Sequence, residues 1–197
     1  MAIDNNPQSN YFGRVYVTNG KAGTASGRAT GSGIYVLDPQ LTDITGQGNT
    51  AHDGGVDWYG TSSPYRVSVA PDGRVFIADY SDVHSGIWIM DPANPSGDFT
   101  ELFAGCTRAS SGLATNSEGV AVHGSISSCY IVGEGENTVL YTADEDMVVN
   151  GGTGKNILQY NIGTATNWTQ APSAVLYDRS QHLLLINTNI CLLYTSD

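Results

Sequence analysis

The chain has 197 residues, 24 of them glycine, and 14% of its residues are charged. Its 19 acidic and 8 basic side chains give a formal net charge of -11, which repels phosphate backbones and argues against nucleic-acid binding. No segment approaches the roughly 20 consecutive apolar residues of a membrane-spanning helix. Apolar residues at helical spacing are not sustained anywhere, so the sequence predicts an all-β protein whose length fits one domain.

The first predicted unit covers residues 11–48, and no opening strand is expected before it because the residues that precede it are polar. Strands are predicted at residues 13–19 and 33–39, where β-branched and aromatic residues are concentrated. A loop rich in glycine, alanine, serine and threonine separates these two strands. Residues 42–48 are expected to form the outer strand of the unit.

The second predicted unit, residues 65–105, has the clearest strand pattern. Its short apolar runs are separated by turn residues, and they predict strands at 65–70, 74–78, 87–90 and 99–103. Between the first two strands lies Pro71-Asp72-Gly73, in which proline fixes φ, aspartate caps its own backbone and glycine accepts a positive φ. Four antiparallel strands within this length match one blade of a β-propeller.

The third predicted unit covers residues 119–178 and is less regular. Strands are predicted at 119–122, 129–132, 137–144, 156–161 and 174–177. Residues 133–137 contain two glycines and predict a tight turn with positive φ angles. A further strand at residues 182–186 is expected to open a fourth unit within 182–190.

Two segments recur in the same order along the chain. Residues 13–19 match residues 73–79, and residues 33–39 match residues 86–92, with third copies predicted inside 137–144 and 156–161. Two sets of residues should therefore hold equivalent places in neighbouring sheets: Val15, Val75 and Val139 in one set, and Ile34, Ile87 and Ile157 in the other. The sequence predicts a partial β-propeller of about three four-stranded antiparallel blades.

The recurring segments resemble those of known propellers. Residues 14–19, followed by 33–38, resemble the repeat of the YVTN-type bacterial β-propellers, and residues 70–79 resemble the NHL-like version of that blade. The resemblance spans roughly residues 11–186 and implies a secreted or surface-attached bacterial protein. Residues 191–197 resemble the in-frame translation of a sequencing adapter, so we expect a fragment whose propeller lies in 1–190 and whose tail is not native. An ordinary terminal strand is the alternative.

The favoured function is a module for binding or scaffolding, with no catalytic residue assigned. The alternative is a propeller-fold enzyme, a metal-dependent lactonase or a lyase, with its site at the mouth of the channel. The candidates for that site are His84, His123 and Glu134, and histidines in turns or on the surface are the competing interpretation. No paired zinc-binding histidines, nucleophile elbow or phosphate loop is present in the sequence.

Acidic residues follow two of the predicted strands. Asp79 and Asp82 lie beside one loop, and Asp144 and Asp146 lie beside the corresponding loop of the next unit. Carboxylate oxygens in loops suit calcium, which takes six to eight oxygen ligands. Neither loop has the spacing of an EF-hand. Calcium is therefore one interpretation of these residues, and solvated carboxylates are the alternative.

Aromatic side chains in or beside loops are candidates for ligand contacts. Trp58, Tyr59, Tyr80 and Trp168 could stack on a carbohydrate or contact a protein partner. The alternative is that they pack in the core or between blades.

Cysteine usage leaves one pair to consider. With Cys191 assigned to the adapter-like tail, Cys106 and Cys129 remain, and they could form a disulfide in an oxidising compartment. Two buried free thiols are the alternative.

Overall fold

The structure is a computed structural model, and it describes residues 1–19, 23–25, 28–30, 33–45, 64–79, 86–104, 114–115, 121–123, 126–144, 156–170, 172–178 and 183–184. Within these residues the chain forms strands, turns and a short 3-10 helix at Gly135–Asn137. The all-β class predicted from the sequence is therefore confirmed for the part of the chain that the structure describes.

The strands are short and every pairing between them is antiparallel. In chain order they are β1 (Ala2–Ile3), β2 (Val15–Asn19), β3 (Gly23–Ala25), β4 (Arg28–Thr30), β5 (Gly33–Leu37), β6 (Pro64–Val69), β7 (Val75–Asp79), β8 (Gly86–Met90), β9 (Thr100–Ala104), β10 (Ala114–Thr115), β11 (Ala121–His123), β12 (Ile126–Val132), β13 (Val139–Asp144), β14 (Asn156–Tyr160), β15 (Ala174–Asp178) and β16 (Leu183–Leu184).

Three larger sheets account for most of these strands. The first sheet has the order β1-β2-β5, the second β6-β7-β8-β9 and the third β12-β13-β14-β15-β16. The pairs β3–β4 and β10–β11 form separate two-stranded sheets. No strand pairing joins one of the larger sheets to another in the described residues, so each remains an open sheet.

The turn between β6 and β7 forms as its sequence predicts. Gly73 has a φ of 87°, and its N–H donates to the carbonyl of Ala70 at 2.9 Å. The Asp72 carboxylate accepts the backbone N–H of Arg74 at 3.2 Å, so the aspartate caps its own turn. The turn fixes the register of the hairpin, in which Val75 lies opposite Val69.

The three sheets pack face to face, with the second in the middle. All five residues of β7 are buried, which explains why its first four residues are a continuous apolar run rather than an alternating one. Val75 and Ile77 belong to the core shared with the first sheet, while Phe76 and Ala78 belong to the core shared with the third. Adjacent residues of this strand therefore point into different cores.

Hairpin β2–β5 has the same register as hairpin β7–β8. Val15 lies opposite Leu37 as Val75 lies opposite Met90, and the pairing runs without a shift to the far end of both hairpins. The sequence-based match between Val15 and Val75 agrees with this register.

The third sheet departs from the predicted equivalence at one position. Ile34, Ile87 and Ile157 hold matching places, since each lies second from the end of its strand pair. Counted from that same end, the place of Val75 is taken by Leu140, so Val139 is one residue out of register and on the opposite face. The turn that precedes β13 contains a 3-10 helix and adds one residue to the strand.

Several expectations about strands are wrong. The first sheet does have an opening strand, because β1 pairs with β2 and places Ala2 opposite Tyr16. The segment between β2 and β5 contains the strands β3 and β4. Residues 42–48 contribute an isolated bridge between Leu37 and Asp43, and residues 46–48 lie outside the described part.

The boundaries of the third sheet also differ from the prediction. The sheet begins at Ile126, because β11 pairs with β10 in a separate two-stranded sheet. Strand β16 pairs with β15, with Leu184 opposite Tyr177, and so extends the third sheet rather than opening a further unit.

Two arginines tie neighbouring sheets together at the same end of the stack. Arg14 precedes β2, and its Nη1 donates to the carbonyl of Pro92, just after β8, at 2.5 Å. Arg74 precedes β7, and its Nη1 donates to the carbonyl of Gly163, after β14, at 2.9 Å. Each arginine thus crosses from its own sheet to the end of the third strand in the next.

Candidate functional site

A cleft runs along the side of the molecule where the first strands of the three sheets lie. It has a volume of about 560 Å³ and is lined by residues of the amino-terminal segment, β6 and β12, together with Pro71. The lining residues are Met1, Ala2, Ile3, Asn5, Asn6, Arg66, Val67, Ser68, Val69, Pro71, Ser128, Cys129, Tyr130 and Ile131. Strand β6 lies between β1 and β12 and forms the middle of this surface.

The topology explains why a cleft forms here. Strands β1, β6 and β12 are each the edge strand of their sheet, so no further strand covers them on that side in the described residues. When sheets of this kind stack face to face, their first strands approach one another along one edge, as they do at the centre of a propeller. The cleft is therefore a product of the stacking and not of a single loop.

The floor of the cleft is buried, and its polar groups are largely engaged. The Ser68 hydroxyl accepts the backbone N–H of Ile131 at 3.2 Å, and the Cys129 thiol donates to the carbonyl of Phe76 at 3.7 Å. Burial raises the pKa of Cys129 to about 12. The thiol is thus protonated at neutral pH and is a poor nucleophile or metal ligand.

The rim of the cleft is exposed and carries the groups that can meet a ligand. Tyr130 has 63% of its side-chain surface exposed, and Arg66 on the neighbouring sheet is also exposed. Arg66 provides the single charged side chain among the described lining residues, in a protein whose net charge is -11. Amides of Asn5 and Asn6 and the hydroxyl of Ser128 add neutral polar groups.

The polar groups of this lining can hold a polar ligand. Its residues include no histidine, aspartate or glutamate in the part of the chain that the structure describes. An arginine, a tyrosine and several amides and hydroxyls can instead hold a polar ligand in place.

Most of the aromatic candidates fall outside the described residues. Trp58, Tyr59 and Tyr80 belong to that group. Trp168 packs against the core between the second and third sheets, edge-on to Tyr160 with 6.4 Å between ring centroids. It does not line the cleft.

The acidic candidates are not brought together in the described structure. Asp79 is buried at the end of β7, and Asp144 ends β13 in a different sheet. Asp82 and Asp146 lie outside the described residues. Among the described residues no group of three or more histidine, cysteine, aspartate and glutamate side chains could hold a metal ion, and calcium binding by these loops stays a prediction.

The structure describes only part of the set of residues named for the enzyme alternative. His84 lies outside the described residues, His123 ends β11 in a two-stranded sheet, and Glu134 is exposed in the turn after β12. Glu134 does not line the cleft.

Cys129 is a free, buried thiol. Its predicted bridge partner, Cys106, lies outside the described residues, so the bridge stays a prediction. The pairing of the two cysteines therefore needs a direct chemical test.

Sequence reasoning did not single out two exposed residues of the cleft rim. Arg66 and Tyr130 lie in the first strands of their sheets, on segments treated as ordinary strands. The available signal was the position of these residues in the first strand of each predicted unit, where a charged or aromatic side chain can remain exposed at the edge of the sheet.

No protein-family model matches this sequence, and no significant match was found to a curated protein or to a solved structure. No helix in the described part of the chain is long and apolar enough to cross a membrane.

Proposed function

We propose that this chain is part of a bacterial β-propeller, secreted or attached to the cell surface, that works as a binding module. The ligand site is the cleft along the first strands. One observation carries the proposal: three separate sheets contribute their first strands to a single cleft of about 560 Å³. Clefts of this size are typical of small-molecule sites, and the centre of a propeller is a common place for them.

The lining favours a carbohydrate that carries an acidic group. The exposed ring of Tyr130 offers a face for stacking on a sugar, which is apolar on one side and polar at its edge. Arg66 can bind a carboxylate through two parallel hydrogen bonds. Asn5 and Ser128 supply donors and acceptors for sugar hydroxyls.

The charge of the protein supports selectivity within this class. The surface as a whole repels anions, since the net charge is -11, so an acidic ligand would bind only where a local cation offsets that repulsion. Arg66 is such a cation. The face-to-face stacking of the sheets supports the propeller architecture. The resemblance of residues 14–19 and 33–38 to bacterial propeller repeats supports both the architecture and an extracellular location.

The proposal can be tested by isothermal titration calorimetry with two matched probes. Tetragalacturonate carries a carboxylate on every sugar, and galactotetraose is its neutral counterpart. We expect tetragalacturonate to bind more tightly. Arg66→Gln should weaken it about tenfold or more while leaving the neutral sugar unchanged, because a hydrogen bond to a charged group contributes about 1.5–3 kcal/mol.

Tyr130→Ala should weaken both sugars, since stacking does not depend on the carboxylate. Phe12→Ala is the matched control, because Phe12 is also exposed, at 53%, and does not line the cleft. Binding of neither sugar, or binding that survives both cleft variants, would overturn the assignment of the site.

A further inference from the structure

The two interfaces between sheets use the same two faces in the same order. In the first sheet, Tyr16 and Val36 lie opposite each other and face the second sheet. In the second sheet the matching pair is Phe76 and Ile89, and it faces the third sheet. The stack therefore has a direction. Each sheet has a forward face, which is turned towards the next sheet in chain order, and a backward face on its other side.

The forward face of the third sheet is apolar and partly exposed. Ile157 has 41% of its surface exposed, whereas Ile87, at the matching place in the second sheet, is fully buried. Tyr177 lies directly opposite Ile157, and Tyr141 lies on the same face; both are half-buried. Within the described residues, this face lacks the cover that the matching face of the second sheet receives from the third.

The backward face of the first sheet also lacks a neighbouring sheet in the described residues. Val15, Val17 and Leu37 lie on this face and are half-buried. At the matching places in the second sheet, Val75 and Met90 are fully buried against the first sheet. The two outer faces of the stack are thus a forward face and a backward face. Faces of these two kinds already pack against each other twice within the chain, between the first and second sheets and between the second and third.

We propose that the forward face of the third sheet in one copy of this chain binds the backward face of the first sheet in a second copy. The contact would continue the stack across the molecular boundary, with Ile157 and Tyr177 of one copy against Val15 and Val17 of the other. The two partner surfaces differ, so the contact is heterologous and either closes into a ring or grows into an open chain. The inference does not depend on the ligand of the cleft.

The contact between copies should be weaker than the two contacts inside the chain. Arg14 and Arg74 each donate to a carbonyl of the next sheet, but by register the corresponding place in the third sheet is held by Val139. The association therefore rests on apolar burial without a polar tie, and we expect it to depend on concentration.

The test uses the full chain and two variants that each block one face. Ile157→Asp places a charge on the forward face, and Val17→Asp places one on the backward face. Sedimentation velocity should show concentration-dependent association for the unmodified chain and monomers for each variant alone. An equimolar mixture of the two variants should recover a one-to-one dimer, because it retains one intact pair of faces.

Leu41→Asp serves as the control, since Leu41 is 66% exposed in the turn after β5 and has a positive φ that aspartate tolerates. It should associate like the unmodified chain. Circular dichroism and thermal melting check that each variant folds, and Tyr177→Asp and Leu37→Asp replace any variant that does not.

Three results would overturn the proposal. An unmodified chain that stays monomeric at every concentration would mean that the faces are covered by other residues of the chain or by a different partner. Undiminished association of Val17→Asp alone would indicate a symmetric contact between two third sheets. A mixture of the two variants that stays monomeric would show that the two faces do not bind each other.

Discussion

Replacing Arg74 with methionine should show how much the polar tie between the second and third sheets contributes. Its guanidinium donates to the carbonyl of Gly163 at 2.9 Å and to the hydroxyl of Thr138, both in the third sheet's part of the chain. It also forms an ion pair with Asp72 at 2.8 Å, in which the Arg74 side chain is 21% exposed and the Asp72 side chain 25% exposed. Methionine keeps most of the aliphatic length and removes every donor.

The size of the effect follows from these contacts. The bond to the buried Gly163 carbonyl is the largest loss, because a hydrogen bond to a charged group contributes about 1.5–3 kcal/mol. The ion pair with Asp72 adds at most about 1 kcal/mol, since it is partly solvated. Thr138 keeps a partner, because its hydroxyl also donates to the carbonyl of Gly135 at 2.7 Å. We expect a total loss of about 3 kcal/mol, or a fall in Tm of about 6–12 °C.

Urea unfolding followed by tryptophan fluorescence measures the change in the free energy of unfolding. Arg14→Met is the matched control, because the Arg14 guanidinium donates to the Pro92 carbonyl of the next sheet and stacks on Tyr11, which precedes β2 of its own sheet, at 4.5 Å. It should cost less than Arg74→Met. A loss below about 0.5 kcal/mol for Arg74→Met, the range of ordinary surface substitutions, would refute the reasoning.

Two further predictions concern titratable groups. Burial by itself raises the pKa of Asp72, but hydrogen bonds from Arg74 and Gly135 outweigh it and hold that pKa below its ordinary value. The stabilisation from Asp72 should therefore be complete above about pH 4 and decline below it, and urea unfolding across this range should show no such decline in Asp72→Asn. Cys129 should resist Ellman's reagent in the native chain and react on unfolding without a reductant; failure to react when unfolded would indicate a bridge, and Cys106→Ala would then identify its partner.

The strands of the second sheet could be predicted from sequence because several local signals agree there. Residues 75–78 are a continuous apolar run, and they follow a turn whose three residues each have a defined role. Ala2–Ile3 could not be predicted in the same way. These two residues form a strand only because they pair with the edge of β2, and that pairing depends on tertiary structure rather than on local sequence.

The register of β13 and the lining of the cleft depend on contacts between residues that are distant in the sequence. The one-residue offset of Val139 arises in the preceding turn, where Gly133 has a φ of 73° and a Cβ would lie 2.2 Å from the carbonyl oxygen of Asn137. The glycine predicts a turn, but its effect on the following strand requires the geometry. Arg66 and Tyr130 belong to distant segments, and the sequence does not show that they share a cleft.

The placement of the two arginine ties has a consequence for slow motions of the stack. Arg14 and Arg74 both lie at the start of the second strand of their sheets, so both ties anchor the same end. Neighbouring sheets should then stay in contact at the end that carries the arginine hydrogen bonds, and they should begin to separate at the opposite ends of β2 and β7. Amide hydrogens near Asn19 and Asp79 should exchange with solvent earlier than those near Val15 and Val75.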